Sequence, residues 1–304
     1  MKILILSRNQ LYKRNWGREL FKLDLSKFHD VVYYGRGYTT KNYITNVPQI
    51  LQDYKERDLI FTSVFTYASM FSGYEKVRIK KVHYEVDYCE PFKTYQGTSV
   101  KQNPFYYQSK YNLIFSVSKR STQDMKNHNI APKIFWLPFS VSTDKYYNMN
   151  IEKEFDLMAV FLIKNSLYPN RAIIQQTIRD LPYKSFIQSV IHEEYIKKIN
   201  QSKIFITSNN IYSSLNMKYT EVLSCGTLLF ADKPEDLDDV GLKDGEHLII
   251  YTDINDLKNK IQYYLHNDKE REEIAKNGME FVRKNHSNEV RIKEMTEIIQ
   301  KELF

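Results

Sequence analysis

Residues 218–232 read KYTEVLSCGTLLFAD. An apolar helical run with Glu221 near its start is stopped by Cys225–Gly226, and a strand-like TLLFA follows at once. Glycine past the end of a helix takes the left-handed turn that closes it. The spacing therefore predicts a helix over 218–225, with Glu221 in its first turn, and a strand over 227–231. Helices leading straight into buried strands are the crossovers of a parallel sheet. On such a sheet the helix start, and Glu221 with it, lies at the carboxyl edge of the strands, where ligands bind. Two readings of Glu221 stand at this point. Its charge complements the helix dipole, or its carboxylate accepts hydrogen bonds from two vicinal hydroxyls such as those of a ribose.

The same alternation extends in both directions. KILILS (2–7), VVYYG (31–35), DLIFTS (58–63), KKVHYEV (80–86), NLIFSVS (112–118) and IFWLP (134–138) are short apolar runs bounded by polar turns. Such runs are what strands covered on both faces look like. WGRELFKL (16–23) has helical spacing between the first two. FSVSTDKYYNMNIEKE (139–154) has no period and reads as a link. Alternation then restarts with FDLMAVFL (155–162), a helix over 170–179, KSFIQS (184–189), a helix over 193–200, SKIFITS (202–208), TLLFA and HLIIY (247–251). Three helical stretches follow, at 254–267, 269–285 and 288–303. The fold class is α/β: two doubly wound, Rossmann-like parallel-sheet domains, expected over 1–145 and 146–287, with facing edges enclosing a cleft.

Composition bounds the function. The 304 residues are 42% hydrophobic and 27% charged, enough to bury a sizeable core. No apolar run approaches the roughly 20 residues that span a bilayer. MKILILSRNQ is broken too early by Arg8 for a secretory signal and reads as a first buried strand. Cys89 and Cys225 are too far apart for a disulfide framework or metal cluster, and fit a reducing compartment. The formal charge of +7 favours anionic partners: nucleotide phosphates, an acidic membrane surface, polyanionic acceptors or nucleic acid. Spread over a chain rich in Lys, Asn, Ile and Tyr, it also fits dispersed surface lysines. There is no G-x-G-x-x-G after the first strand and no P-loop, H-E-x-x-H, Cys-x-x-Cys or G-x-S-x-G, so each of those chemistries lacks its motif. PEDLDDVG (234–241) reads as an acidic loop rather than a metal site.

KYTEVLSCGTLLF, with GLKDGEHLIIYTDINDLKNKIQYYLHNDKEREEIAKNGMEFVRKNHS (241–287), resembles the C-terminal domain of GT-B glycosyltransferases of the group 1 type, family 4-like. It is most similar to their branch of CgeB-like spore-maturation proteins. The shared pattern is a basic residue, a Glu three positions on, a small-residue turn ending in Gly, a G-E-H strand and R-E-x-I-A-x-x-G. FDLMAVFLIKNSLYPNR (155–171) matches more loosely. The resemblance implies a cytoplasmic or membrane-peripheral hexosyltransferase that takes a nucleotide sugar, UDP-linked by expectation, and needs no tightly bound metal or cofactor. Residues 288–304 would form a helix crossing back to the N-terminal domain.

By the same resemblance Glu221 binds the ribose of the donor, and Lys218, Lys164 and Arg171 serve its diphosphate. Asn209, Ser213 and Ser214 add hydrogen bonds, with Tyr219 and Thr220 beside them. On the acceptor side, His83, Glu85 and Asp87 alternate along KVHYEVDYCEP (81–91) and share a face. Asp87, with His83, is the candidate base for an inverting transfer. Arg8 and Asn9 line the same edge. Three departures bear on the donor. Ser213 stands where many relatives have a first glutamate, eight positions before the second; Lys218 stands for Arg; Phe161 and Leu162 stand where glycine is usual. The acceptor is open among glycan, lipid, protein and modified nucleic acid. Two alternatives stand beside this reading: transfer to modified bases of phage-type DNA, and a non-catalytic nucleotide-sugar-binding module. A sugar-nucleotide epimerase shares the fold, but the C-terminal pattern fits transferases better.

Overall fold

The structure, a computed structural model, describes residues 1–9, 11, 16–39, 43–63, 70–86, 110–163, 168–209 and 213–304. The chain forms two compact units: Met1–Pro138 with Arg291–Phe304, and Phe139–Val290.

In the first unit six strands make one parallel sheet in the order β2-β1-β3-β4-β5-β6. They are β1 (Lys2–Leu6), β2 (Asp30–Tyr34), β3 (Leu59–Ser63), β4 (Lys80–Glu85), β5 (Leu113–Ser116) and β6 (Ile134–Trp136). β3 and β5 are buried along their whole length, as their unbroken apolar runs require when both faces are covered. Leu4, Leu6 and Ile60 pack with Val47, Ile50, Phe71 and Tyr74. Ile292, Met295 and Ile299 of the last helix (Asn288–Leu303) are buried in this unit. The strand order reverses between β1 and β3, so the crevice at their carboxyl ends is the natural ligand position.

Helix α1 (Trp16–Asp24) forms where helical spacing placed it; α2 (Val47–Asp53) and α3 (Lys119–Asn127) are additions to the sequence reading. Both carry legible caps. Asn46 Oδ1 accepts the Gln49 N–H at 3.2 Å, and Ser118 Oγ accepts that of Ser121 at 3.3 Å. KRSTQDMKN buries only one large apolar side chain, Met125, so it lacks the stripe that announces a helix.

The second unit holds a five-stranded parallel sheet, β11-β10-β9-β7-β8. Its strands are β7 (Phe155–Met158), β8 (Ser185–Phe186), β9 (Ser202–Ile206), β10 (Leu228–Ala231) and β11 (Ile249–Ile250). Its helices are α4 (Arg171–Asp180), α5 (His192–Asn200), α6 (Met217–Ser224), α7 (Ile254–His266) and α8 (Asp268–Asn285). KSFIQS and HLIIY shrink to two paired residues each because β8 and β11 are the sheet edges, each with one neighbour. Leu157, Ile204, Leu228 and Phe230 meet Ile174, Ile178, Leu257 and Ile261 in the core. Here the strand order reverses between β7 and β9, and their carboxyl ends lead into α4 and α6.

Candidate functional site in the second unit

Helix α6 starts one residue earlier than its apolar pattern suggests. Asn216 is extended (φ −120°, ψ 169°), and its Oδ1 accepts the Lys218 N–H at 3.0 Å. The first turn is therefore Met217–Thr220, and Glu221 falls beyond it, which corrects its expected place. A dipole role loses its basis, because that effect fades within the first turn. Gly226 closes the helix at φ +71°, donating its N–H to Leu223 O at 2.9 Å. Asn216→Ala is expected to lower stability by about 1 kcal/mol, the ordinary worth of such a cap, read as a lower urea midpoint at unchanged m.

Glu221 is 7% exposed. Its Oε1 accepts the Tyr146 hydroxyl at 3.1 Å. The Tyr146 and Tyr195 phenols are pushed well above their ordinary range, first by burial and then by the Glu221 charge. Tyr146 is itself fixed, because its carbonyl accepts Ser224 Oγ at 2.7 Å and Arg283 Nη1 at 3.2 Å. The carboxylate is thus held in one orientation by a tyrosine that sequence reading missed, since nothing in a motif links positions 146 and 221. Tyr146→Phe removes a donor from a buried charge and is expected to cost about 1–2 kcal/mol of unfolding free energy, measured by urea denaturation.

Three cations were expected at the diphosphate. Lys164 lies outside the described residues. Arg171 is buried, and its Nε and Nη2 donate to Ser208 O at 3.3 and 2.8 Å. Its guanidinium stacks on Tyr168, 3.4 Å from the ring centroid. Burial lowers its pKa, opposed by Tyr168 and Asp232. Arg171 therefore holds the end of β9 and contributes charge through space. Lys218 is half-buried, and among the described residues no hydrogen bond or ion pair engages its ammonium. Burial, with Arg171 as a neighbouring like charge, pushes it down to about 8, while Glu221 acts the other way.

The polar residues around these cations form a clasp. Asp232, just after β10, accepts Asn209 N–H at 2.7 Å and Ser208 Oγ at 2.9 Å. Asn209 Nδ2 donates to Asp232 O at 2.9 Å, and the Tyr219 hydroxyl lies 3.0 Å from Asn209 Oδ1 and 2.9 Å from Asp232 O. Asn209 and Tyr219 are thus engaged within the protein, and Thr220 Oγ1 donates back to Met217 O at 3.0 Å. Ser213 takes φ +50°, and its carbonyl accepts Glu235 N–H at 2.8 Å; Ser214 follows, half-buried. PEDLDDVG is more than a solvated acidic loop. Asp236 is buried, and its Oδ1 accepts Leu215 N–H at 3.1 Å.

In the first unit, His83 is fully buried between Thr62 Oγ1, 2.7 Å from Nδ1, and Glu85 Oε2, 3.0 Å from Nε2. Both ring nitrogens are occupied by protein, which corrects its expected part as an acceptor-facing base. The shared face of positions 83 and 85 is what brings the pair together. Asp87 and Cys89 lie outside the described residues. Arg8 and Asn9 follow β1. Asn9 Oδ1 accepts Leu11 N–H at 2.9 Å, and its Nδ2 is 3.4 Å from Gly37 O. Among the described residues no group of three His, Cys, Asp or Glu is placed to hold a metal, and no helix is long and apolar enough to cross a membrane.

Residues 170–297 match the family model described as glycosyl transferase-like. Comparison with curated proteins finds no match. Among solved structures, HepE of Anabaena in complex with UDP and glucose superposes with a TM-score of 0.73 at 12% identity, covering 99% of this chain and 100% of that one. Sucrose-phosphate synthase of Thermosynechococcus elongatus gives 0.69 at 12%, with 98% of each chain covered. A glycosyltransferase of Rickettsia africae gives 0.63 at 14%, covering 99% and 98%. At such identities the likeness establishes the fold, the GT-B arrangement of two doubly wound domains.

Proposed function

From the GT-B fold and the glycosyl transferase-like match over residues 170–297, we propose that this chain is a glycosyltransferase that moves a hexose from a UDP-sugar bound by the second unit to an acceptor hydroxyl served by the first, without a tightly bound metal. The observation that carries this reading is Lys218. A half-buried ammonium beside a second cation, engaged by no hydrogen bond or ion pair among the described residues, calls for an anion. It sits at the opening of α6, whose backbone N–H groups favour the same charge. Glu221, one turn further, is the proposed acceptor of the two ribose hydroxyls. UDP in complexes of HepE supports the choice of nucleotide.

In the transfer the bond between the sugar anomeric carbon and the phosphate oxygen breaks, and UDP leaves with the electron pair. The acceptor oxygen bonds to that carbon and its proton departs. Lys218, with Lys164 and the field of Arg171, stabilises the charge growing on the diphosphate, the place where preorganised cations lower a barrier most. Asp87 is the proposed proton acceptor if configuration inverts. The test is release of the nucleoside diphosphate, UDP from UDP-glucose and UDP-N-acetylglucosamine and GDP from GDP-mannose, with and without EDTA. Release from a UDP-sugar that EDTA leaves unchanged is expected. Absence of turnover and binding with every donor would sink the proposal, and EDTA-sensitive release would sink its metal independence.

A further inference from the structure

Beneath the carboxyl end of β1 lies a fully buried ion pair. Lys22 Nζ is 2.7 Å from Glu19 Oε2, and the two side chains are 1% and 0% exposed. The ammonium spends its other hydrogens on Ser7 Oγ at 2.9 Å and on Arg8 O at 3.2 Å. Glu19 Oε1 accepts the Tyr38 hydroxyl. The Tyr38 ring lies 5.6 Å from the ammonium and stacks on Tyr33 at 5.2 Å, and the Tyr33 hydroxyl donates to Lys22 O at 2.9 Å. From one pair on α1, contacts reach the loop after β1 (Ser7–Asn9) and the loop after β2 (Gly35–Thr39).

Those two loops are also tied to each other. Ser7 N–H donates to Tyr34 O at 3.0 Å and Asn9 N–H to Arg36 O at 2.9 Å. Gly35, at φ +124°, runs so close to β1 that an added Cβ would stand 2.1 Å from Ser7 O. This junction borders the β1–β3 crevice, where the first unit's sheet reverses order and a ligand finds the strand ends.

A buried ion pair is a poor way to gain stability. Desolvation of both charges offsets most of their attraction, and apolar side chains of similar size commonly do as well. Burial does push the Lys22 ammonium down, against the pull of Glu19. What the pair supplies that an apolar pair cannot is direction: three hydrogen bonds from one nitrogen, to one carboxylate and two points of one loop. We infer that Glu19 and Lys22 are positioning residues, which fix the Ser7–Asn9 loop and thereby set Arg8 and Asn9 at the ligand edge of the first unit. That this edge serves the acceptor rests on the function proposed above; the fixing of the loop does not.

The test compares Lys22→Met, the double variant Glu19→Leu/Lys22→Met and Tyr38→Phe by thermal unfolding and by amide hydrogen exchange at Asn9, Tyr38 and Thr39. Lys22→Met alone strands a buried carboxylate and is expected to lower Tm. The double variant is expected to recover Tm to within about 3 °C of wild type, while the three amides exchange at least about tenfold faster because their local opening has become easier. Tyr38→Phe, which removes a donor from the buried Glu19 carboxylate, is expected to lower Tm modestly and to speed exchange of Tyr38 and Thr39 more than that of amides elsewhere in the unit. A double variant that recovers Tm with wild-type exchange would overturn the inference. So would a double variant no more stable than Lys22→Met, which would make the pair a plain stabilising contact. UDP titrated into the double variant is expected to bind within about twofold of wild type, since the donor site lies in the other unit. If wild type itself binds no UDP, the donor reading fails and the exchange result still decides this one.

Discussion

Lys218→Met is expected to weaken UDP binding by roughly 10–100-fold, the worth of one hydrogen bond to a charged group, and to flatten its pH dependence. The ammonium of wild type titrates near 8, lowered from 10.5 by burial and then by Arg171. A bound diphosphate raises that pKa, so binding takes up a proton near and above pH 8, and affinity falls as pH rises through that range. Titrations between about pH 7 and 9.5 are expected to show up to about a tenfold loss per pH unit above 8 in wild type, and little slope in Lys218→Met. The unliganded protein has the opposite trend. A lysine whose folded pKa is depressed binds fewer protons when folded, so its contribution to stability grows as pH rises from about 8 towards 10.5. Lys153, also pushed down to about 8 by burial, adds to the stability trend through its own titration. The variant therefore isolates the binding effect. Equal slopes in the two proteins would remove Lys218 from the diphosphate.

Glu221→Ala is expected to cost roughly 100-fold in UDP affinity, because two hydrogen bonds from ribose hydroxyls to a charged acceptor are lost together. Structural damage is a competing cause, since Tyr146 and Tyr195 surround this carboxylate. A cycle with 2′-deoxyuridine diphosphate separates the two. Removing the 2′-hydroxyl is expected to cost wild type about tenfold and the variant almost nothing, since their interaction is then already gone. If both proteins lose equally, Glu221 does not hold the ribose. Glu221→Gln, which keeps an acceptor for Tyr146 and drops the charge, is expected to fall between them, with a Tm close to wild type.

The sheets were legible because their strands are covered on both faces, which forces unbroken apolar runs such as LIFTS and LIFS. The turn at Cys225–Gly226 was legible because few residues other than glycine take φ +71° cheaply. Helices α2 and α3 were not, as their signal is a cap rather than a stripe. The site shows the same division. Lys218 and Glu221 lie three apart on one helix, within the local motif that carries the family resemblance. Tyr146 reaches Glu221 across 75 positions, and Asn209 meets Asp232 across 23. Only the fold brings such pairs together. His83 and the Glu19–Lys22 pair show the converse difficulty. An i,i+3 Glu–Lys pair normally marks a solvated helix face, and a histidine alternating with Lys81 and Glu85 an exposed strand face. Both are buried here because protein partners replace water: Thr62 and Glu85 for the histidine, Ser7, Arg8 and Tyr38 for the ion pair.

The donor site is tested most directly by calorimetric titration of UDP into wild type and into Lys218→Met near pH 7, with thermal unfolding of the same samples. One saturable site in wild type is expected, together with a Tm that rises with UDP concentration, and with both effects strongly reduced in the variant. Wild-type protein that gives neither binding heat nor a Tm shift with UDP or UDP-glucose would contradict it.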